Sequence, residues 1–194
     1  MSAPARRGRP GYDLESLLTI AVQRFNESGY DGTSMEDLAR TLGITKSAIY
    51  HHVPSKEELL RLAVSRALDG LFEVVARLDS VGGRAVDRLE YLVRGSVEVL
   101  VERLPFVTLL LRVRGNTKVE RDALARRREF DRVVASLVAA AVDEGDLRPD
   151  IEPAVAARLL FGMVNSITEW YRPRHGSDLA TAVVTVAFDG LRVR

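Results

Sequence analysis

The sequence contains no cysteine among its 194 residues, and this absence excludes several kinds of chemistry. Disulfide bonds, thiolate nucleophiles and cysteine-ligated zinc or iron–sulfur centres are not possible. Long apolar runs are also missing, and no segment approaches the ~20 apolar residues that a membrane-spanning helix needs. The first residues lack the apolar stretch of a secretory signal. We therefore expect a cytoplasmic protein without a membrane partner.

The chain has little excess charge of either sign, because 28 basic residues oppose 27 acidic ones. A protein that packages nucleic acid regardless of sequence should be strongly basic, so the composition disfavours that class. The basic residues are unevenly placed, however, since residues 1–12 hold Arg6, Arg7 and Arg9 and no acidic residue. We predict a flexible basic arm over residues 1–12, and an ordinary solvated tail is the alternative.

Apolar residues recur at helical spacing along almost the whole chain, and strand-like alternation is nearly absent. The pattern predicts an all-α fold of about nine helices. It also suggests two domains, a small one over residues 13–56 and a larger one over residues 57–194. The boundary is placed near the start of a long helix that opens at Ser55 and ends near Gly82.

Residues 33–52 have the length and turn chemistry of a helix-turn-helix. Thr33 and Glu36 are predicted to form a capping box, Gly43 to supply a tight turn, and Thr45 to cap the second helix. The outward positions of that second helix can all form hydrogen bonds, as a helix in a DNA major groove requires: Lys46, Ser47, Tyr50 and His51. The spacing alone leaves open an ordinary hairpin of a helical bundle.

Consecutive motifs over residues 13–60 resemble the DNA-binding domain of the TetR family of transcriptional regulators. The matching stretches are residues 21–25, Gly29-Tyr30, TSMEDLA at 33–39, GITKSAIYHHV at 43–53 and SKEELL at 55–60. Val53 departs from the family's pattern, which usually has phenylalanine at this position inside the small domain. The resemblance implies an N-terminal three-helix helix-turn-helix domain, followed by a C-terminal helical domain for ligand binding and dimerisation.

The resemblance also implies roles for individual residues on double-stranded operator DNA. Thr33 and Ser34 should hold a phosphate at a helix N-terminus, and Lys56 should contact a second phosphate. Thr45, Lys46 and Ser47 should lie nearest the base edges, with Tyr50 and His51 on the backbone or a base. Arg6, Arg7 and Arg9 should enter an adjacent minor groove.

The adjacent pair His51-His52 invites a comparison with metal sites. Neighbouring residues on a helix point about 100° apart, so these two side chains do not converge on one ion. The sequence offers no third ligand at a suitable spacing. We therefore predict no metal site.

The last two predicted helices, at about 153–171 and 178–191, carry apolar residues on more than one side. In the resembled family these two helices of each subunit form a four-helix bundle, which predicts a homodimer. The interface residues would be Val155, Leu159, Gly162, Met163, Ser166, Leu179, Val183 and Val186. Completion of the core of a monomer is the alternative.

The family resemblance also implies a small-molecule effector among the middle helices, and no other cofactor. Candidate ligand-binding residues are polar or aromatic side chains within apolar runs: Phe106, Arg112, Asn116, Asn165, Trp170 and Tyr171. Residues 109–116 and 170–173 are similar to a subgroup that controls fatty-acid, steroid or aromatic-acid breakdown through acyl-CoA thioesters. The arginine run 126–128 could serve such a ligand, although its acidic neighbours favour a salt-bridged surface.

Together these features predict a ligand-released repressor that binds a pseudo-palindromic operator as a dimer. Activation instead of repression stays open, as do the operator and the effector. An enzyme is disfavoured because the sequence shows no nucleophile with a base, no pair of catalytic acids and no phosphate loop.

Overall fold

The computed structural model of the protein describes residues 13–172 and 178–191, and its regular elements are all helices. They are α1 Leu14–Ser28, α2 Met35–Leu42, α3 Lys46–Tyr50, α4 Lys56–Ala76, α5 Leu78–Val81, α6 Ala85–Glu102, α7 Leu104–Arg112, α8 Lys118–Asp143, α9 Pro153–Trp170 and α10 Leu179–Leu191. The all-α prediction is confirmed, with α5 as a short additional turn of four residues. The predicted arm with Arg6, Arg7 and Arg9 lies outside the described residues.

The chain divides into two compact units between Leu62 and Ala63. This division falls inside α4. The first turns of α4 belong to the N-terminal unit, and the remainder belongs to the C-terminal unit. The sequence placed the corresponding boundary near residue 56, at the beginning of the same helix. No helix in the described ranges is both long and apolar enough to span a bilayer.

The N-terminal unit packs α1, α2, α3 and the start of α4 around a small apolar core. Its most deeply buried large side chains are Leu17, Phe25, Leu38, Ile49, Leu59 and Leu60. Val53 is 2% exposed and lies in this core, where the resemblance placed it. Burial of these side chains is the main contribution to the stability of such a small unit.

Local signals set the ends of the first helices. Asp13 caps α1 by accepting a hydrogen bond from the backbone N–H of Ser16 at 2.8 Å. Thr45 caps α3 in the same way, accepting from the N–H of Ala48 at 3.2 Å. Gly43 ends α2 in the left-handed region, with φ of 66°, and so reverses the chain between α2 and α3.

In the C-terminal unit, α6 packs against α7, α8, α9 and α10. Its buried positions follow helical spacing and include Leu89, Leu92, Val93, Ser96, Val97 and Leu100. Gly95 lets α4 approach closely, because a Cβ atom at this position would lie 2.7 Å from Cγ1 of Val74. The second half of α4 is thus seated directly against α6.

The turn before α8 is held by a buried carboxylate. Glu120 accepts hydrogen bonds from the backbone N–H groups of Gly115 (3.1 Å), Asn116 (2.5 Å) and Thr117 (3.2 Å). The hydroxyl of Thr117 accepts from the N–H of Glu120 in return, which completes a capping box. These bonds fix the turn that contains Asn116, one of the predicted ligand-binding residues.

Candidate nucleic-acid interface and effector site

The five residues of α3 and its two caps for which DNA contacts were predicted are all exposed: Thr45, Lys46, Ser47, Tyr50 and His51. We refer to these five residues as the recognition face. Tyr50 is 45% exposed although it is a large aromatic residue, whereas Ile49 beneath it is fully buried. A short helix that is held in the core by a buried side chain and is polar on its outer surface is suited to a DNA major groove.

The lysine of the recognition face is paired with an acidic residue. The Lys46 ammonium group donates a hydrogen bond to the carboxylate of Glu36 on α2, and lies 6.0 Å from the centroid of the Tyr50 ring. This bond lowers the pKa of Glu36 and raises the pKa of Lys46. Both side chains are about half exposed, so the pair adds little stability and can exchange for contacts with DNA. From the sequence, Glu36 was predicted only to take part in a capping box.

The N-cap of α2 lies one residue later than the sequence predicted. The Ser34 hydroxyl accepts from the N–H of Asp37 (3.1 Å), and the Asp37 carboxylate accepts from the N–H (3.1 Å) and hydroxyl (2.7 Å) of Ser34. Thr33 is 1% exposed, and its hydroxyl donates to the carbonyl of Gly29 at 2.8 Å. The Thr33 hydroxyl is therefore already engaged, and the predicted phosphate contact depends on Ser34 and the backbone of the first turn.

Lys56, the first residue of α4, is held inside the N-terminal unit. Its Nζ atom donates to the carbonyl oxygens of Tyr30 (2.8 Å) and Thr33 (2.9 Å), and lies 4.2 Å from the centroid of the Tyr30 ring. The family resemblance implies a contact between Lys56 and a DNA phosphate. Nothing in the sequence indicated these partners, which lie 26 and 23 residues away along the chain.

His51 and His52 are both exposed. The described ranges contain no group of three or more histidine, cysteine, aspartate or glutamate side chains that could hold a metal ion.

α9 exposes a stripe of apolar and small residues at helical spacing: Val155, Leu159, Gly162, Ser166 and Trp170. We refer to these residues as the α9 stripe. Leu159 is 66% exposed and Trp170 57% exposed, which is unusual for large apolar side chains in one row. Met163, also predicted at the interface, is half-buried beside the stripe. The surface is of the kind that another protein chain covers.

The three predicted interface residues on α10 differ in exposure. Val186 is 68% exposed, whereas Val183 is 7% exposed and packs into the core of its own unit. Leu179 is half-buried. The placement of Val183 at an interface is thus corrected, because its face of α10 is turned inward.

The six predicted ligand-binding residues are spread over α7, the turn before α8, and the end of α9. Phe106 is half-buried, with the Arg66 guanidinium 5.1 Å from its ring centroid. Arg112 and Asn116 are exposed. Trp170 and Tyr171 pack edge to face, with ring centroids 6.5 Å apart. Asn165 lies in the cleft between α8 and α9.

This α8–α9 cleft has a volume of about 380 Å³. Its apolar lining includes Val134, Ala157 and Phe161, and its polar lining consists of Arg127, Asp131, Arg132, Arg158 and Asn165. The cleft walls desolvate the Asp131 carboxyl and raise its pKa, against the opposing effect of Arg127 and Arg158. Three guanidinium groups and one carboxylate suit an anionic ligand with an apolar part.

Two residues of the arginine run 126–128, Arg126 and Arg127, lie in different surroundings. Arg126 forms the expected kind of surface pair, with its Nη2 atom 2.8 Å from the Asp69 carboxylate. Arg127 instead lines the cleft. From the sequence, a ligand role was open for the run and a salt-bridged surface was favoured, because neighbouring residues cannot be assigned to different surroundings before the packing of α8 is known.

Both parts of the chain match families of known proteins. Residues 17–63 match the family described as "Bacterial regulatory proteins, tetR family". Residues 82–191 match "Tetracyclin repressor-like, C-terminal domain". The protein belongs to the TetR family. The second match alone covers more than half of the chain, and the two matches cover most of each unit.

Relatives of this TetR-family protein are similar to it over nearly its full length. The HTH-type transcriptional repressor KstR2 of Rhodococcus jostii is 29% identical over 95% of this chain and 93% of its own. The TetR-family regulator SCO3833 of Streptomyces coelicolor is 55% identical, with a TM-score of 0.86 and 97% of each chain covered. AibR, in a crystal structure with isovaleryl coenzyme A and operator DNA, is 28% identical, with a TM-score of 0.74 over 90% of this chain and 97% of that one.

The TetR-family protein is therefore a DNA-binding regulator of transcription and not an enzyme. Proteins of this family bind operator DNA as dimers and respond to small-molecule effectors. The predicted family, fold class and regulatory function are confirmed. The roles of individual residues stay predictions.

The Asp37 cap makes the stability of the N-terminal unit depend on pH. Hydrogen bonds from Ser34 lower the pKa of Asp37, so its carboxylate stabilises the folded unit above the ordinary aspartate pKa, and this contribution is lost as the pH falls towards the lower, folded value. We expect Asp37→Asn to flatten the decline of the urea midpoint between about pH 5 and pH 3. Asp31→Asn, at an exposed position before α2, is the control, and parallel curves for Asp37→Asn and the unaltered protein would contradict the prediction.

Proposed function

We propose that this TetR-family protein is a repressor that binds a pseudo-palindromic operator as a dimer and is released by an acyl-CoA thioester. The N-terminal unit would read the operator. The C-terminal unit would bind the effector and the second subunit. The observation that carries the proposal is the recognition face, an exposed hydrogen-bonding surface on a helix that is anchored from within.

Dimerisation is supported by the α9 stripe. A two-fold axis beside α9 would bring the stripe of one subunit against that of the other, with Gly162 and Ser166 allowing the helices to approach closely. Val186 on α10 adds exposed apolar surface of the same kind. A dimer of this type presents two recognition helices, which is the arrangement that a pseudo-palindromic operator requires.

The α8–α9 cleft supports an acyl-CoA effector. A thioester of this kind combines an apolar acyl chain with phosphate groups, and the cleft combines an apolar lining with the guanidinium groups of Arg127, Arg132 and Arg158. AibR, a relative of similar fold, has been crystallised with isovaleryl coenzyme A and operator DNA. The same class of ligand is the first to test with this protein.

A row of aromatic contacts connects the cleft with α4. Phe161 lines the cleft, and its ring centroid lies 5.1 Å from that of Phe130 on α8. Phe130 in turn lies 6.3 Å from Phe72 on α4. Because α4 begins at Lys56 in the N-terminal unit, a ligand that shifts these rings would act on a helix shared by both units. Release then requires only that the effector binds more tightly to the state with low operator affinity.

The test is fluorescence anisotropy with DNA from upstream of the protein's own gene, at near-physiological salt and with scrambled DNA as competitor. We expect operator binding in the nanomolar range that resists the competitor. Isovaleryl-CoA and longer acyl-CoAs are then titrated, beside free coenzyme A and the free acids. Release by thioesters alone supports the proposal. Release by the free acids would overturn the effector class, and binding that ignores DNA sequence would overturn the repressor function.

Asp131 should weaken the binding of the effector's phosphates, because it is the carboxylate among the cleft's charged groups. We expect Asp131→Asn to reduce the acyl-CoA concentration needed for half-release by about twofold to fivefold near neutral pH. Asp143→Asn, at the exposed end of α8, is the matched control. Titration of the operator complex measures the effect, and an unchanged or higher concentration for Asp131→Asn would place the phosphates elsewhere.

A further inference from the structure

Glu36 is an exposed acidic residue that the fold of the N-terminal unit does not need for helix capping. The cap of α2 is made by Ser34 and Asp37, each of which accepts a hydrogen bond from the backbone N–H of the other. Glu36 occupies the second position of α2, and its side chain is 57% exposed. A carboxylate beside bound DNA repels the phosphates, so it is unfavourable there unless it accepts a hydrogen bond from the DNA.

The contact with Lys46 places this carboxylate beside the recognition face. Lys46 is the first residue of α3, and the N-terminal residues of a recognition helix are those that reach base edges. Its ammonium group donates a hydrogen bond to the Glu36 carboxylate across the turn between α2 and α3. The Tyr50 ring lies one turn further along α3, with its centroid 6.0 Å from the same Nζ atom. A base pair that Lys46 reaches is therefore within reach of Glu36 as well.

The major-groove edge of a G·C base pair is complementary to these two charged groups. Guanine presents two acceptors, N7 and O6, and lysine is among the side chains that bind them. Cytosine presents one donor, its N4 amino group, and carboxylate side chains accept from it. The guanine O6 and cytosine N4 atoms are neighbours in the pair, as the ammonium and carboxylate groups are in the protein. An A·T pair differs, because its donor lies between two acceptors.

We infer that Glu36 and Lys46 together read one G·C base pair in each operator half-site, with Lys46 at guanine and Glu36 at cytosine. The inference rests on the proposed operator binding. It adds the identity of a base pair and a DNA contact from α2 that the sequence did not indicate. In the free protein the two side chains bond each other. On the operator the lysine exchanges the carboxylate for guanine, and the released carboxylate accepts from cytosine.

Glu36→Gln tests the inference, because glutamine has nearly the same shape as glutamate but pairs best with adenine. The unaltered protein and the variant each select binding sites from a duplex library with randomised half-sites, and the selected duplexes are sequenced. We expect the unaltered protein to select G·C at a position where Glu36→Gln loses that preference or selects A·T. In fluorescence anisotropy, A·T in place of this G·C should weaken binding about tenfold for the unaltered protein and less than about threefold for Glu36→Gln.

Glu27→Gln is the matched control. Glu27 is also an exposed acid in an ion pair, with Arg24 on the same helix α1, and neither residue belongs to the recognition face. The substitution removes the same charge and should leave the selected sequences unchanged. Lys46→Ala should relax selection at the position that Glu36→Gln alters. Circular dichroism of Glu36→Gln should match that of the unaltered protein, because Asp37 makes the cap of α2.

An unchanged base preference of Glu36→Gln, even with higher affinity for every sequence, would overturn the inference, since Glu36 would then only repel phosphates. Effects of Glu36→Gln and Lys46→Ala at different positions would also overturn it, because the two side chains would then read separate base pairs. So would a base pair other than G·C at the shared position. Failure of the unaltered protein to select any sequence would instead overturn the proposed function.

Discussion

Leu159→Glu should convert the dimer into monomers and reduce operator affinity by at least about a hundredfold, which corresponds to roughly 3 kcal/mol. Leu159 belongs to the α9 stripe and is the most exposed large apolar residue on that helix, at 66%. The proposed two-fold axis beside α9 would place Leu159 of both subunits close together, so the substitution would introduce two carboxylates into one apolar contact. A monomer retains one recognition helix and loses the contacts of the second half-site.

Sedimentation equilibrium measures the change in assembly, and fluorescence anisotropy measures the change in operator affinity. Ser136→Glu introduces the same charge at an exposed position of α8 outside the stripe, and should leave both unchanged. Circular dichroism of Leu159→Glu should match that of the unaltered protein, because the side chain contributes little to the core of its own subunit. A dimeric Leu159→Glu with full affinity would show that the interface lies elsewhere.

Phe130→Ala should lower the free energy of unfolding by about 3–5 kcal/mol. Phe130 is 4% exposed and lies between Phe72 on α4 and Phe161 on α9, with edge-to-face contacts to both rings. Removal of the ring leaves a cavity where three helices meet. It also deletes two edge-to-face aromatic contacts, which stabilise the fold in addition to the burial of apolar surface.

Urea unfolding followed by circular dichroism measures this loss. Phe106→Ala is the matched control, because Phe106 is only half-buried and packs against the Arg66 guanidinium, so its truncation should cost less. Equal losses for the two variants would contradict the central role of Phe130. A Phe130→Ala protein that remains folded should also need a different acyl-CoA concentration for release, if the aromatic row transmits the effect of the ligand.

The helix-turn-helix could be predicted because its signals act over a few residues. Asp13 and Thr45 each bond a backbone N–H three residues ahead, and Gly43 needs only its own left-handed conformation. Such features do not depend on distant parts of the chain. Val53 shows that the core of this unit also tolerates a departure from the family's pattern without a change in the elements around it.

The cap of α2 shows the limit of local signals. Residues 33–36 and 34–37 both place a hydroxyl three positions before a carboxylate, so both pairs fit a capping box. Ser34 is the N-cap because Thr33 is buried in the core and its hydroxyl is already bonded to the Gly29 carbonyl at the end of α1. The partners of Lys56 were missed for the same reason, because they depend on the folded arrangement of α1, α2 and α4.

The candidate effector site, the α8–α9 cleft, was less predictable still. Periodicity identifies the apolar faces of α8 and α9, but it does not show which side chains border a common cleft. Arg127 and Asn165 meet there only because the two helices pack against each other. The inward position of Val183 has a similar cause, since α10 is apolar on several sides and its contact with α6 decides which side is covered.

We expect the pairing of Lys46 with Glu36 to affect how the protein searches a genome. Every stretch of DNA presents phosphates, and non-cognate stretches vastly outnumber operators. A carboxylate beside the recognition lysine weakens the attraction to all of them, so the protein dwells more briefly on random sequence. At an operator, contacts with the correct bases can replace the Glu36 bond. The same ion pair that reduces the absolute affinity therefore keeps the protein free to reach its target.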